Sequence, residues 1–169
     1  MKKLFLSIFI LVIAGCGYKP TVNYVQNSIE GPIYTVLDVN TENSRDSAYL
    51  KEYVNNLLLT QFNTTLVSNK KLAKMIMEIK LDNITQKSLQ TDTNGYVKIY
   101  KLTSYVKIKY YKNIENPKVK VLVLSNYSNY IVDDDSTITA NNKEIAIRES
   151  INRILKSFLF TIAVDNFDK

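Results

Sequence analysis

The chain has 169 residues, 22 Lys and Arg against 16 Asp and Glu, a formal net charge of +6, one cysteine and no histidine. Without histidine a Ser-His-Asp triad, a Cys-His pair and a histidine zinc site are excluded, and one cysteine cannot close a disulfide within the chain. The length fits one domain with a real core, and the modest positive excess points toward an acidic surface or an anionic lipid rather than nucleic acid.

The chain opens with Lys2 and Lys3, then an apolar run from Leu4 to Ile13 broken only by Ser7, then Ala14 and Gly15. A charged start, a short apolar stretch and small residues before a cut describe a secretory signal. The run falls well short of the roughly 20 residues that cross a bilayer. The ending Ile13-Ala14-Gly15-Cys16 resembles the bacterial lipobox, in which the cysteine sulfur receives a diacylglycerol and cleavage makes it the amino terminus. Residues 1–15 are thus expected to be a cleaved signal and Cys16 the lipidation site. At roughly 0.8 kcal/mol per buried methylene, two or three chains would hold the protein to a membrane essentially permanently. Losing Lys2 and Lys3 lowers the formal charge from +6 to +4. Gly17 stands where, in sorted lipoproteins, an aspartate favours inner-membrane retention, which points to the outer membrane.

Residues 16–31 lack a sustained period, carry Pro20 and end before Gly31-Pro32, so a lipidated tether is expected there. A single domain follows over residues 32–169. Ile33 to Val39 is short, β-branched and alternating, with Ile33, Thr35, Leu37 and Val39 on one face, and reads as a first strand. Between Ser44 and Leu66 the residues Leu50, Val54, Leu57, Leu58 and Phe62 recur at helical spacing, and Asn43 or Ser44 can cap the start. From Ala73, alternation sets Met75, Met77, Ile79 and Leu81 against Lys74, Glu78, Lys80 and Asp82, the signature of a strand with one wet face.

Asn94-Gly95 then favours a tight hairpin in which both central residues have positive φ. In the next strand Tyr100, Leu102, Ser104, Val106, Ile108 and Tyr110 oppose Lys101, Thr103, Tyr105, Lys107 and Lys109. Val97 and Ile99 fall on the wrong face for that register, which predicts a bulge near the hairpin. After the turn "NIENP", Val119 to Ile131 reads as a fourth strand whose first half, Val121 to Leu124, is continuously apolar and so is expected to be buried on both faces. Asp133, Asp134 and Asp135 read as a turn and a charge match for a helix start more readily than as a divalent-cation site. Ile147, Ile151, Ile154, Leu155, Phe158 and Ile162 place a second helix over 141–164.

The order β-α-β-β-β-α gives an α+β fold, a four-stranded, mostly antiparallel sheet with two helices on one face. The other face would show Lys74, Glu78, Lys80, Lys101, Tyr105, Lys107 and Lys109. Such a surface is either simply solvated or a wet interface in which tyrosine and lysine both serve.

The mature start Cys16-Gly17-Tyr18, the element order with its Asn-Gly hairpin, and the stretch Ile147 to Leu155, "IRESINRIL", resemble the LPS-assembly lipoprotein LptE family. The resemblance implies a non-enzymatic outer-membrane lipoprotein without a cofactor. It would face the periplasm and the lumen of the outer-membrane barrel LptD, which it plugs and helps assemble, and it would bind lipopolysaccharide on its way to the outer leaflet. In that family a basic residue precedes the hairpin Asn-Gly and another lies before the last helix. This chain has Thr93 at the first place and Thr139 near the second, so Lys87, Lys98 and Lys143 are the lysines expected to meet lipopolysaccharide phosphates instead. The residues themselves also allow an outer-membrane lipoprotein that activates a periplasmic cell-wall enzyme or serves another secretion complex.

Overall fold

The computed structural model describes residues 31–38, 44–62 and 64–165. The signal, Cys16, nearly all of the tether and the side chains of Asn43 and Ser44 lie outside them. Strands β1 (Ile33–Asp38), β2 (Met75–Thr91), β3 (Val97–Lys112) and β4 (Lys120–Ile131) form one sheet in the order β1-β2-β3-β4. β1 and β2 run parallel, and the other pairs are antiparallel. Helix α1 (Ser44–Gln61) makes the crossover between the parallel strands, and α2 (Ser136–Asp165) returns over β4 and β3.

The apolar periods decide what is buried. Leu50, Val54, Leu57 and Leu58 of α1, with Phe62 just past its end, meet Met77, Ile79 and Leu81 of β2, Leu102, Val106 and Ile108 of β3, and Ile151, Ile154, Leu155 and Phe158 of α2 in one core. The Phe62 and Phe158 rings stand 6.3 Å apart and join the two helices. Ser104 and Ser150 are fully buried between β3 and α2. Ser150 donates to the Ile147 carbonyl at 2.7 Å, which uses its only proton, so at 2.6 Å Ser104 is the donor and Ser150 the acceptor between them. Each hydroxyl is thereby satisfied, as burial requires.

Several expected boundaries move. The first helix ends at Gln61 rather than Leu66. Leu66 instead forms a parallel bridge with Ile33, whose N–H donates to the Thr65 carbonyl and whose carbonyl accepts from the Val67 N–H. β-Branched Thr64 and Thr65 favour that extended path over another helical turn. The second helix begins five residues earlier than expected, at Ser136, because the Asp135 carboxylate accepts from the Thr137 N–H at 2.7 Å and caps the first turn.

The hairpin also differs. Gly95 has φ +87, whereas Asn94 does not have positive φ. The Gly95 N–H donates to the Asp92 carbonyl and the Asp92 N–H to the Tyr96 carbonyl, while the Asp92 carboxylate accepts from the N–H groups of Asn94 and Tyr96. The acidic side chain thus favours a longer loop with a single left-handed residue.

The bulge expected near Val97 and Ile99 is present, as register shifts between Ser88 and Gln90 and between Gln90 and Thr91. Another shift, between Leu81 and Asn83, inserts Asp82 into β2 and reverses its phase. Before it Met77, Ile79 and Leu81 face the helices, and after it Ile84 and Gln86 pair with the inward Ser104 and Leu102.

The first half of β4 is not buried on both faces. Val121 is 49% and Val123 68% exposed. β4 is an edge strand with one neighbour and helix cover on one side only, so its continuous apolar run reflects something other than a two-sided core.

Candidate functional site

Two surfaces gather the polar and aromatic residues singled out by the sequence. The first is the sheet face away from the helices. Cross-strand register aligns Asp38, Lys80 and Lys107 in one row, Val36, Glu78 and Lys109 in the next, and Tyr34, Ile76 and Tyr111 beyond. Lys80 pairs with Asp38 at 3.4 Å and Lys109 with Glu78 at 3.6 Å. These exposed pairs contribute little stability each. The Tyr111 hydroxyl donates to Glu78 at 2.9 Å, and burial first, then that carboxylate, pushes its pKa above the usual phenol value, so it remains a neutral donor.

Farther along, the Lys101 ammonium lies 4.0 Å from the Tyr127 ring centroid, a cation–π contact of about 0.5–1 kcal/mol at an exposed site. The lysine rows were legible from alternation alone. Their pairing with Asp38 and Glu78 was not, because it depends on which residues β1 and β3 place beside them.

The second surface lies at the tip, where the β2–β3 hairpin meets the β4–α2 loop. A cleft of about 570 Å³ is lined by Asp92, Tyr96, Lys98, Tyr100, Val132 and Asp134. Lys98 is half-buried and its ammonium stands 3.8 Å from the fully exposed Asp134. Tyr96 projects into solvent, 71% exposed. Below it Tyr100 and Tyr130 stack with centroids 5.5 Å apart, and the Tyr130 hydroxyl donates to Gln86 at 2.9 Å. Burial, and secondarily Tyr100, raises the Tyr130 pKa.

The three candidate lysines are not brought together. Lys98 lines the tip cleft. Lys87 pairs across the sheet with Lys101 on the face away from the helices, and Lys143 sits two turns into α2, on the other side. Cys16 lies outside the described residues. Two of the three acids after β4 have structural work: Asp133 accepts from the Asp135 N–H, its carbonyl accepts from Thr139, and Asp135 caps α2. The Thr137 hydrogen bonds, backbone first, hold the Asp135 carboxyl below the usual carboxylate range. The arrangement as a whole can hold carboxylate or phosphate groups by charge and seat apolar or aromatic groups beside them.

No family model and no curated protein sequence matches the chain. Solved structures do. Rare lipoprotein B from Shewanella oneidensis matches with a TM-score of 0.54 at 17% identity, covering 83% of this chain and 100% of that one. An uncharacterised lipoprotein B from Nitrosomonas europaea matches with a TM-score of 0.58 at 14% identity, covering 89% and 93%. The chain therefore has the fold of bacterial lipoproteins of the rare lipoprotein B type. Among the described residues no helix is long and apolar enough to cross a membrane.

Proposed function

We propose that the protein is a lipid-anchored outer-membrane accessory of the LptE type, which plugs and helps assemble an LptD-type barrel and binds lipopolysaccharide during its delivery to the outer leaflet. One observation carries this reading: the domain behind the lipobox-like Cys16 shares its fold, over more than four-fifths of the chain, with lipoproteins of the rare lipoprotein B type. A polar, tyrosine-rich domain also suits the water-lined interior of a large barrel. Its contribution is recognition and not bond-making. The lysines assigned to lipopolysaccharide are Lys98 at the tip cleft, with Lys87 and Lys143 flanking it on opposite sides of the sheet.

The test is purification of the chain with its partners from solubilised outer membrane, alongside its Cys16→Ala variant. The expected result is an acylated amino terminus, copurification of an LptD-type barrel, and an unprocessed, unacylated Cys16→Ala product. Copurification with a cell-wall synthase instead, or normal acylation of Cys16→Ala, would overturn the reading.

A further inference from the structure

The two edges of the sheet are finished differently. β1 is six residues long and is closed at Ile33 by the bridge to residues 65–67. β4 is twelve residues long, and only its second half is guarded. The Val132 N–H donates to the Lys98 carbonyl, so even-numbered residues of β4 face β3 and odd-numbered ones turn their N–H and C=O groups outward. At Tyr127 the N–H donates to the Asn126 side chain at 2.9 Å and the carbonyl accepts from the Arg153 guanidinium at 3.2 Å. The Ile131 carbonyl accepts from Asn142 at 3.1 Å. Among the described residues nothing comparable covers Val121, Val123 or Ser125, and both valine side chains are exposed. An unguarded apolar edge is a template for another strand, which folded proteins ordinarily suppress.

A wall stands beside this edge. Asn142, Glu149 and Arg153 bond to β4 and so mark the side of α2 that overlooks it. Phe160 follows Arg153 by seven residues, two helical turns, and is 66% exposed. Because α2 runs back along β4, seven helical residues cover about 10 Å, or about three strand residues. Phe160 therefore stands beside Val123 to Ser125.

The charges choose the occupant. β4 carries no acidic residue. Lys107 lies opposite Val123 in the neighbouring strand, Lys118 precedes the edge, and Lys156 sits on α2 between Arg153 and Phe160. We propose that Val119 to Ser125 is a strand-addition site that takes an extended segment of a partner protein, alternating acidic and apolar residues, as a fifth strand. Its backbone pairs with the outward N–H and C=O groups of Val121, Val123 and Ser125. Its acidic side chains meet Lys107, and its apolar ones pack against Phe160. This does not rest on the function proposed above.

The probe is a ten-residue peptide alternating valine and glutamate, added to the isotope-labelled full chain in detergent and followed by backbone amide shifts and hydrogen exchange. The expected result is saturable binding that slows exchange at least tenfold at Val121, Val123 and Ser125 and weakens with salt. A peptide with lysine in place of glutamate should bind at least tenfold more weakly. Val123→Pro removes an N–H that no ladder bond uses, so the fold should survive while affinity falls at least tenfold. Val123→Glu, which keeps the backbone donor but repels the acidic peptide, should show the same loss. No binding at millimolar peptide, equal binding of the two peptides, or shifts confined to the hairpin would overturn the proposal. Concentration-dependent protection of the edge without peptide would overturn it too, since the occupant would then be a second copy of the chain.

Discussion

The two faces of the sheet are built from the same alternating strands and obey different rules. On the helix side the inward residues close into one core, where Ile79, Leu102, Val106 and Ile108 are fully buried. On the other side Lys107 and Lys109 lie opposite the exposed Val123 and Val121, Lys80 stands between Asp38 and Asp82, and Lys101 lies over the Tyr127 ring. One face specifies the fold and the other is left adaptable. Alternation alone cannot distinguish a face that is merely wet from one that waits for a partner. The exposed apolar residues on β4 make that distinction.

Variants can break or sharpen the contrast. Phe158→Ala, at the joint between the helices and fully buried, should lower stability by about 3–5 kcal/mol in urea unfolding. A loss below about 1 kcal/mol would mean that the helices are not seated on this face. Asp135→Asn should have a smaller effect with a characteristic pH dependence, because it weakens the cap that starts the covering helix. The Asp135 carboxyl titrates below its usual value when folded. Its stabilising contribution is therefore complete above the usual carboxylate pKa and lost as pH falls through the lower, folded value. The melting temperature of the variant should lie below that of the parent at neutral pH, and the two should converge in acid. Val123→Thr on the open face should change stability by less than about 0.5 kcal/mol. A core-sized loss there would show that Val123 is packed rather than presented.

Much of the fold could be read from periodicity. The alternation of Met77, Ile79 and Leu81 and the helical recurrence of Leu50, Val54 and Leu58 each survive as buried sets, since a one-residue error in either would send the apolar side chains into water. The features that escaped depend on neighbours distant in the chain. The exposure of Val121 and Val123 follows from β4 lying at the edge, and strand order is not written in any local pattern. The insertion of Asp82 reverses the facing of half of β2, and its cause lies in the pairing with β3. Asn94-Gly95 is a strong local signal for a two-residue turn, but Asp92, two residues earlier, takes part in four backbone bonds of the loop and lengthens it. At the tip, Lys98 was visible as a base near the hairpin. The tyrosine stack beneath it was not, since Tyr100 and Tyr130 meet only through the β3–β4 register.

The clamp on Ile33 has a mechanical meaning. Here the described chain enters the sheet and is held on both flanks: the Ile33 N–H and carbonyl bond to residues 65 and 67, and the preceding Pro32 carbonyl accepts from the N–H groups of Lys74 and Met75. A pull along the strand from that end loads these bonds together in shear instead of peeling them one by one. The domain can therefore bear tension where a leash would attach, while its far end, with the tip cleft, stays unstressed.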